Sequence, residues 1–261
     1  MKRTLIQLDI KAYPEEIQQY LHNADIYDSS CSNLAKVYFI DKGNGFYLKT
    51  AKKGTLLDEV RMTRYFNSVG LGAKVEKYIS LDCDMMLTER VIGEDCTHDD
   101  YLSDPNRLCD TLAQIHLILH SADTTDCPIK NKTEAYLSYA KERYEKGFFD
   151  NSLVNDKTGV ENAKNAMSML ERYCGHLKSD CLIHGDFCLP NVMLDDWRFS
   201  GFIDLDHAGI GDRHIDIFWT LWSLTYNLKT DKYTDRFLDA YGRDNIDSKA
   251  LKAVLSAEMF G

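Results

Sequence analysis

No stretch of the 261-residue chain approaches the roughly 18 consecutive apolar residues of a membrane-spanning helix. The segment Met1–Ile10 begins basic, but Gln7 and Asp9 interrupt any apolar core of the kind that targets a chain outward. A cytoplasmic protein with no membrane partner is expected. None of the eight cysteines forms a Cys-x-x-Cys pair, and no Cys/His cluster has zinc-site spacing. Reduced, structural thiols follow from that compartment. The chain has no Gly-x-Gly-x-x-Gly segment and no Walker phosphate loop, so any phosphate it holds is held by other means. Internal repeats, low-complexity tracts and long linkers are absent as well.

Positive charge is outnumbered by negative, and the deficit lies in one part of the chain. Residues 1–90 carry 13 Lys+Arg and 12 Asp+Glu, whereas residues 91–261 carry 18 and 29, within a net charge of −10. So acidic a region repels nucleic acid and anionic lipid and suits a cationic small molecule. With 44% hydrophobic residues the chain can bury a core as one bilobed unit or two small domains.

The first 90 residues read as a small sheet with one inserted helix. Residues 14–22 form a short helix with Pro14 at its first turn. The runs 35–41 and 46–51 flank Lys42-Gly-Asn-Gly45, and Asn-Gly between such runs is a hairpin signal. Thr55-x-x-Asp58 resembles a capping box opening a helix to about Gly70, and strand-like runs follow at 74–81 and 85–91. After Gly93 the pattern turns helical, with Leu108, Leu112, Ile115 and Leu119 on one stripe and further helices over 133–146, 160–178 and most of 213–258. A strand at 181–183 leads into His184, and runs at 192–194 and 199–203 flank a turn at Asp195–Trp197. The expected boundary is the connection at Glu89–Gly93, dividing a nucleotide-binding region, 1–90, from a catalytic and substrate-binding region, 91–261.

Phosphoryl transfer needs a lysine for the nucleotide phosphates, a carboxylate facing the acceptor hydroxyl, and hard oxygen ligands for Mg²⁺. Asp186 precedes Asn191 by five residues in His184-Gly-Asp-Phe-Cys-Leu-Pro-Asn191, the Asp-to-Asn spacing of a kinase catalytic loop. Asp204 closes Gly201-Phe-Ile-Asp204, and the intervening hairpin would set it beside Asn191 as a metal site. Singly each motif is more often a turn; the ordered set with flanking strands is what carries the reading. Lys49 lies in the second strand of the first hairpin. Asp58 and Glu59 both flank the apolar side of the next helix and are both candidates to pair with it, Glu59 having the longer reach. The loop at Ser29–Asn33 is placed to contact phosphates. His184, Asp212 and Asp216 read as braces of the catalytic loop, Trp219 and Trp222 as core more than substrate platform, and His116 with His120 as ordinary helix residues more than metal ligands.

These residues resemble the aminoglycoside phosphotransferases, most closely the 3′-phosphotransferases of kanamycin and neomycin. The likeness rests on Leu34–Tyr38, Tyr47-Leu-Lys49, His120–Asp123 with Asp126-Cys-Pro128, His184–Asn191, Arg198–Asp204 and Asp235-Arg-Phe-Leu238. It implies an α+β fold of protein-kinase type, with a small N-terminal antiparallel sheet lobe and a larger, mainly helical C-terminal lobe. By the same resemblance Asp186 is the catalytic carboxylate, Asn191 and Asp204 hold Mg²⁺, and Lys49 with Glu59 orients the phosphates of ATP or GTP. Ser32 and Asn33 correspond to the nucleotide loop, Glu89 and Val91 to an adenine-binding hinge, and Glu258 and Phe260 to an ending that holds an amino sugar. A monomer or weak dimer is expected. The chain departs from the family at Asp206-His207, where Gly-Arg is usual, at Trp222-Ser223, where Arg-Asp is usual, and at Ala257-Glu258, where Asp-Glu is usual; one extra residue, Gly261, follows Phe260. All four departures fall on the substrate side. The residues alone leave two other readings: a related kinase for a macrolide, a choline-like alcohol or another metabolite, and a non-catalytic nucleotide-binding module.

Overall fold

The computed structural model describes residues 3–154 and 158–261. By its contacts the chain divides into two compact units, Met1–Cys96 with Pro190–Asp206, and Thr97–Leu189 with His207–Gly261.

The first unit is built on a six-stranded antiparallel sheet. Its strands are β1 (Thr4–Ile6), β2 (Asp25–Asp28), β3 (Ala35–Asp41), β4 (Phe46–Lys52), β5 (Val75–Ser80) and β6 (Cys83–Glu89), in the order β1-β2-β3-β4-β6-β5. Alternation along β4 fixes what each face carries. Leu48 points to the face where Ile40 and Leu87 pack with Ile17 and Leu21 of helix α1 (Glu15–Leu21). Each fully buried aliphatic side chain of this kind contributes about 2 kcal/mol. Lys49 points to the other face, whose Met86 packs against Leu56 and against Val60 of helix α2 (Leu57–Ser68). The expected capping box does not form. Thr55 turns its hydroxyl to the Lys52 carbonyl, 2.7 Å away, and the buried Asp84 carboxylate instead accepts from the Leu56 amide at 3.0 Å.

The short β7 (Glu94–Asp95) pairs with β9 (Val192–Asp195), which forms a hairpin with β10 (Arg198–Phe202), so residues 190–206 join the first unit across a long stretch of sequence. The hairpin turns on Asp196 and Trp197, at φ 47° and 65°, the left-handed pair that suits the twist of antiparallel strands. Gly93, at φ 100°, permits the approach of β7, since a Cβ there would lie 2.0 Å from the Leu194 carbonyl oxygen.

The second unit is mainly helical, with α3 (Asp99–Leu102), α4 (Pro105–His120), α5 (Lys132–Glu145), α6 (Ala163–Tyr173), α7 (Arg213–Leu228), α8 (Thr234–Tyr241) and α9 (Ser248–Glu258). A two-stranded ladder of β8 (Cys181–Ile183) and β11 (Gly209–Gly211) completes it. The stripe at Leu108, Leu112, Ile115 and Leu119 is buried along α4, whose Pro105 occupies the first turn and whose Asp104 accepts from the Arg107 amide at 3.1 Å. Among the described residues no helix is long and apolar enough to cross a membrane. All eight cysteines are free.

Candidate active site

In the first unit Lys49 is gripped from two sides. Its Nζ lies 2.8 Å from Glu59 Oε2 and 2.7 Å from Asp204 Oδ1. Of the two candidate carboxylates on α2, the buried Glu59 makes the pair, while Asp58 faces solvent beside Arg61 at 3.2 Å. Burial alone would lower the lysine, but the charges of Glu59 and Asp204 outweigh it and raise its pKa, so Lys49 stays charged. Burial pushes Glu59 up to about 7, against the pull of Lys49.

Asp204 sits at φ 60°, a left-handed conformation that costs a non-glycine residue about 1 kcal/mol and is characteristic of functional positions. The amide of its neighbour Ile203 donates to the Asn191 carbonyl at 3.1 Å, so the hairpin ends bring Asn191 and Asp204 together. One carboxylate and one amide are hard oxygen donors, and Asp204 is half exposed; both facts fit Mg²⁺ completed by phosphate and water. Among the described residues no group of three or more His, Cys, Asp or Glu is placed to hold a metal ion.

The remaining nucleotide-side candidates bracket Lys49 along its strand. Ser32 and Asn33 are exposed in the bend before β3, where Ser32 Oγ accepts from the Leu34 amide at 3.3 Å. That strand pairs Val37 with Lys49. Glu89 ends β6 opposite Phe46, three residues from Lys49 or about 10 Å along the strand. The Glu89 amide donates to the Lys74 carbonyl at 2.9 Å, and Val91 is buried.

In the second unit the Asp186 loop is held mostly by its own backbone. Asp216, fully buried, accepts from the amides of His184 at 2.9 Å and Gly185 at 2.7 Å. Burial would raise Asp216, but the hydrogen bond and charge of His120, 3.2 Å away, hold it below the usual carboxylate range. Gly185, at φ 82°, is required because a Cβ would come within 2.2 Å of the His207 carbonyl oxygen. Beyond Asp186, the Leu189 amide donates to Ser223 Oγ at 3.0 Å. Ser223, one of the family departures, thus ties down the loop's far end. His120 is a partner of Asp216 and of the Tyr241 hydroxyl, 2.9 Å away, rather than a metal ligand.

Asp186 opens on a cavity of about 690 Å³ within this unit, whose lining includes Tyr136, His207, Trp219, Glu258 and Gly261. Burial pushes Glu258 up to about 7, countered by hydrogen bonds from Tyr136 and Trp219, while the charge of Asp186 pushes it further up. Glu258 Oε1 is 2.8 Å from the Tyr136 hydroxyl. Phe260 does not join this lining: its ring is buried in the core, 5.5 Å from that of Tyr144 and 5.9 Å from that of Phe149. Trp219, read from sequence as core, lines the cavity, and Tyr136 and Lys132 had no sequence signal at all.

A model of the phosphotransferase enzyme family matches residues 28–253. A probable aminoglycoside 3′-phosphotransferase of Lactococcus lactis subsp. lactis is 44% identical over 257 residues, 98% of either chain. The crystal structure of an aminoglycoside-3′-phosphotransferase of type VIII superposes with a TM-score of 0.75 at 21% identity, covering 96% of each chain. That of the aminoglycoside phosphotransferase APH(3″)-Id from Streptomyces rimosus, in complex with ADP and streptomycin, superposes with a TM-score of 0.73 at 18% identity, covering 97% of this chain and 99% of that one. The two superpositions establish the α+β fold of these kinases. With the family model spanning most of the chain and a full-length relative at this identity, the chain belongs to the phosphotransferase enzyme family.

Proposed function

We propose that this enzyme transfers the γ-phosphate of ATP to a hydroxyl of an aminoglycoside, the 3′-hydroxyl, in the cytoplasm and as a monomer or weak dimer. Residues 1–90 serve the nucleotide, with Lys49 on its phosphates, Ser32 and Asn33 over them, and the Glu89–Val91 backbone along the base; residues 91–261 serve the acceptor. GTP is the alternative donor. Asn191 and Asp204 would hold Mg²⁺, which when bound neutralises charge on the transferring phosphoryl group. Glu59 keeps the lysine in place and charged. Asp186 accepts a hydrogen bond from the acceptor hydroxyl and takes its proton late, because the transition state is loose.

The observation that most supports an amino-sugar acceptor is the cavity that holds Asp186 together with Glu258 in the acidic part of the chain. Its aromatic walls, Tyr136 and Trp219, suit the apolar faces and ammonium groups of such a ligand. The same substrate class stands in the names of the relatives. Mass spectrometry after incubation with ATP, and separately GTP, tests the reading. One phosphate gained on kanamycin and none on its 3′-deoxy analogue is expected; phosphate on the 3′-deoxy analogue overturns the site, and none on any amino sugar overturns the substrate class.

A further inference from the structure

Two buried side chains beneath the Asp186 loop have no part in the chemistry above: His116 on α4 and Thr220 on α7, both 0% exposed. The His116 ring lies on that of Phe187, the residue after Asp186, with centroids 3.7 Å apart and planes at 29°. Its Nδ1 is 2.8 Å from the Leu112 carbonyl oxygen, and its Nε2 is 3.0 Å from Thr220 Oγ1. Thr220 Oγ1 lies in turn 3.0 Å from the Phe187 carbonyl oxygen. The residue that follows the carboxylate is therefore met at both its ring and its peptide.

Proton accounting sharpens the geometry. A carbonyl only accepts, and of the two backbone groups beside the ring, those of Leu112 and Asp216, Leu112 makes the 2.8 Å contact, so the hydrogen of His116 is assigned to Nδ1. Burial, reinforced by His120, pushes His116 down to about 3, so the ring is neutral and Nε2 presents a lone pair. Nε2 and the Phe187 carbonyl are then both acceptors, and the single hydroxyl hydrogen of Thr220 stands between them.

We propose that Thr220, oriented by His116, is a positioning residue for Asp186: its shared hydroxyl fixes the peptide that follows the carboxylate, while the stacked imidazole fixes the Phe187 ring. The inference rests on the reading of Asp186 as the carboxylate facing the acceptor. Displacements of about 1 Å at such a group cost up to about 10²-fold in rate without changing what is bound.

Thr220→Val preserves shape and removes the hydroxyl; Thr220→Ser keeps it. The expected result for Thr220→Val is a kcat lowered about tenfold with KM for ATP and for kanamycin within about twofold, and recovery in Thr220→Ser, the signature of an interaction felt in the transition state. A separate reading needs no turnover: ¹⁵N NMR of the His116 ring is expected to show the neutral Nδ1–H tautomer between about pH 6 and pH 8, with the Nε2 resonance moving in Thr220→Val. A Thr220→Val enzyme with kcat within twofold of wild type overturns the positioning role, and a charged ring or an Nε2–H tautomer overturns the hydrogen-bond assignment. If the wild type transfers no phosphate to an amino sugar, the proposed function fails instead; the same kcat ratio is then expected, or the proposal sunk, on turnover of ATP with water.

Discussion

The two units hold their functional groups by different means. In the first, side-chain charges hold one another: Lys49 is fixed by Glu59 and Asp204, and Asp204 is carried by a hairpin end in a strained backbone. In the second, Asp186 is fixed by its neighbours' peptide groups, anchored on Asp216 at one end and Ser223 at the other, while the cavity beside it adds the Glu258 carboxyl, hydrogen-bonded to the Tyr136 hydroxyl. A charge-built site responds to pH and to the loss of any one partner. A backbone-built loop tolerates changes around it as long as the groups that hold its peptides, Asp216, Ser223 and Thr220, stay, and it loses function when one of these or the reacting group itself is changed.

The sharpest separation comes from Asp186→Asn. Turnover is expected to fall by about 10²–10⁴-fold, the usual worth of a positioned base, with nucleotide binding by calorimetry unchanged. Near wild-type turnover would sink the assignment of Asp186. The opposite behaviour is expected from Lys49→Met, where the loss is shared between binding and folding. Removing one partner of a buried pair costs about 3–5 kcal/mol when the other must stay charged. Glu59 avoids part of that by taking up a proton, since burial already raises it and Lys49 no longer opposes. Urea denaturation is therefore expected to show a small loss at acidic pH and a larger one at alkaline pH. A loss independent of pH would mean that Glu59 is not the group left exposed to the penalty.

How far the sequence carried this comparison depended on the kind of signal. Lys49 and the Asp186, Asn191, Asp204 set were legible because chemistry imposes residue type and spacing on short segments. The choice between Asp58 and Glu59 was not, because both flank the same helix face and only packing against β4 decides it. Strands β2 and β11 were missed: one begins and ends on Asp and the other is Gly-Ile-Gly, so partner strands, not local propensity, make them extended. The cavity was the least legible part. Tyr136 and Trp219 look like ordinary aromatic helix residues, and Phe260, which resembles the family's ending, went to the core because its ring packs with Tyr144 and Phe149. Substrate-side contacts are made by side chains far apart in sequence, and spacing does not encode which of them converge.

The gentlest probe of that cavity is Glu258→Gln. A carboxyl raised to about 7 from its ordinary 4.5 keeps in the folded chain a proton that the unfolded chain has already released. The folded state therefore loses stability relative to the unfolded one as pH climbs from about 4.5 to about 7, and the cost is complete above that. Glutamine cannot titrate, so the variant is expected to gain on the wild type in thermal denaturation between about pH 5 and pH 8. An ammonium group in the cavity reverses the preference, because it favours the ionised carboxylate and expels the proton. The Kd of a cationic amino sugar is then expected to rise up to about tenfold for each unit that the pH drops below 7 in the wild type, over and above any slope seen with Glu258→Gln, which reports the ligand's own titration. Parallel slopes for the two proteins would remove Glu258 from amine recognition and leave the aromatic walls and Asp186 to account for it.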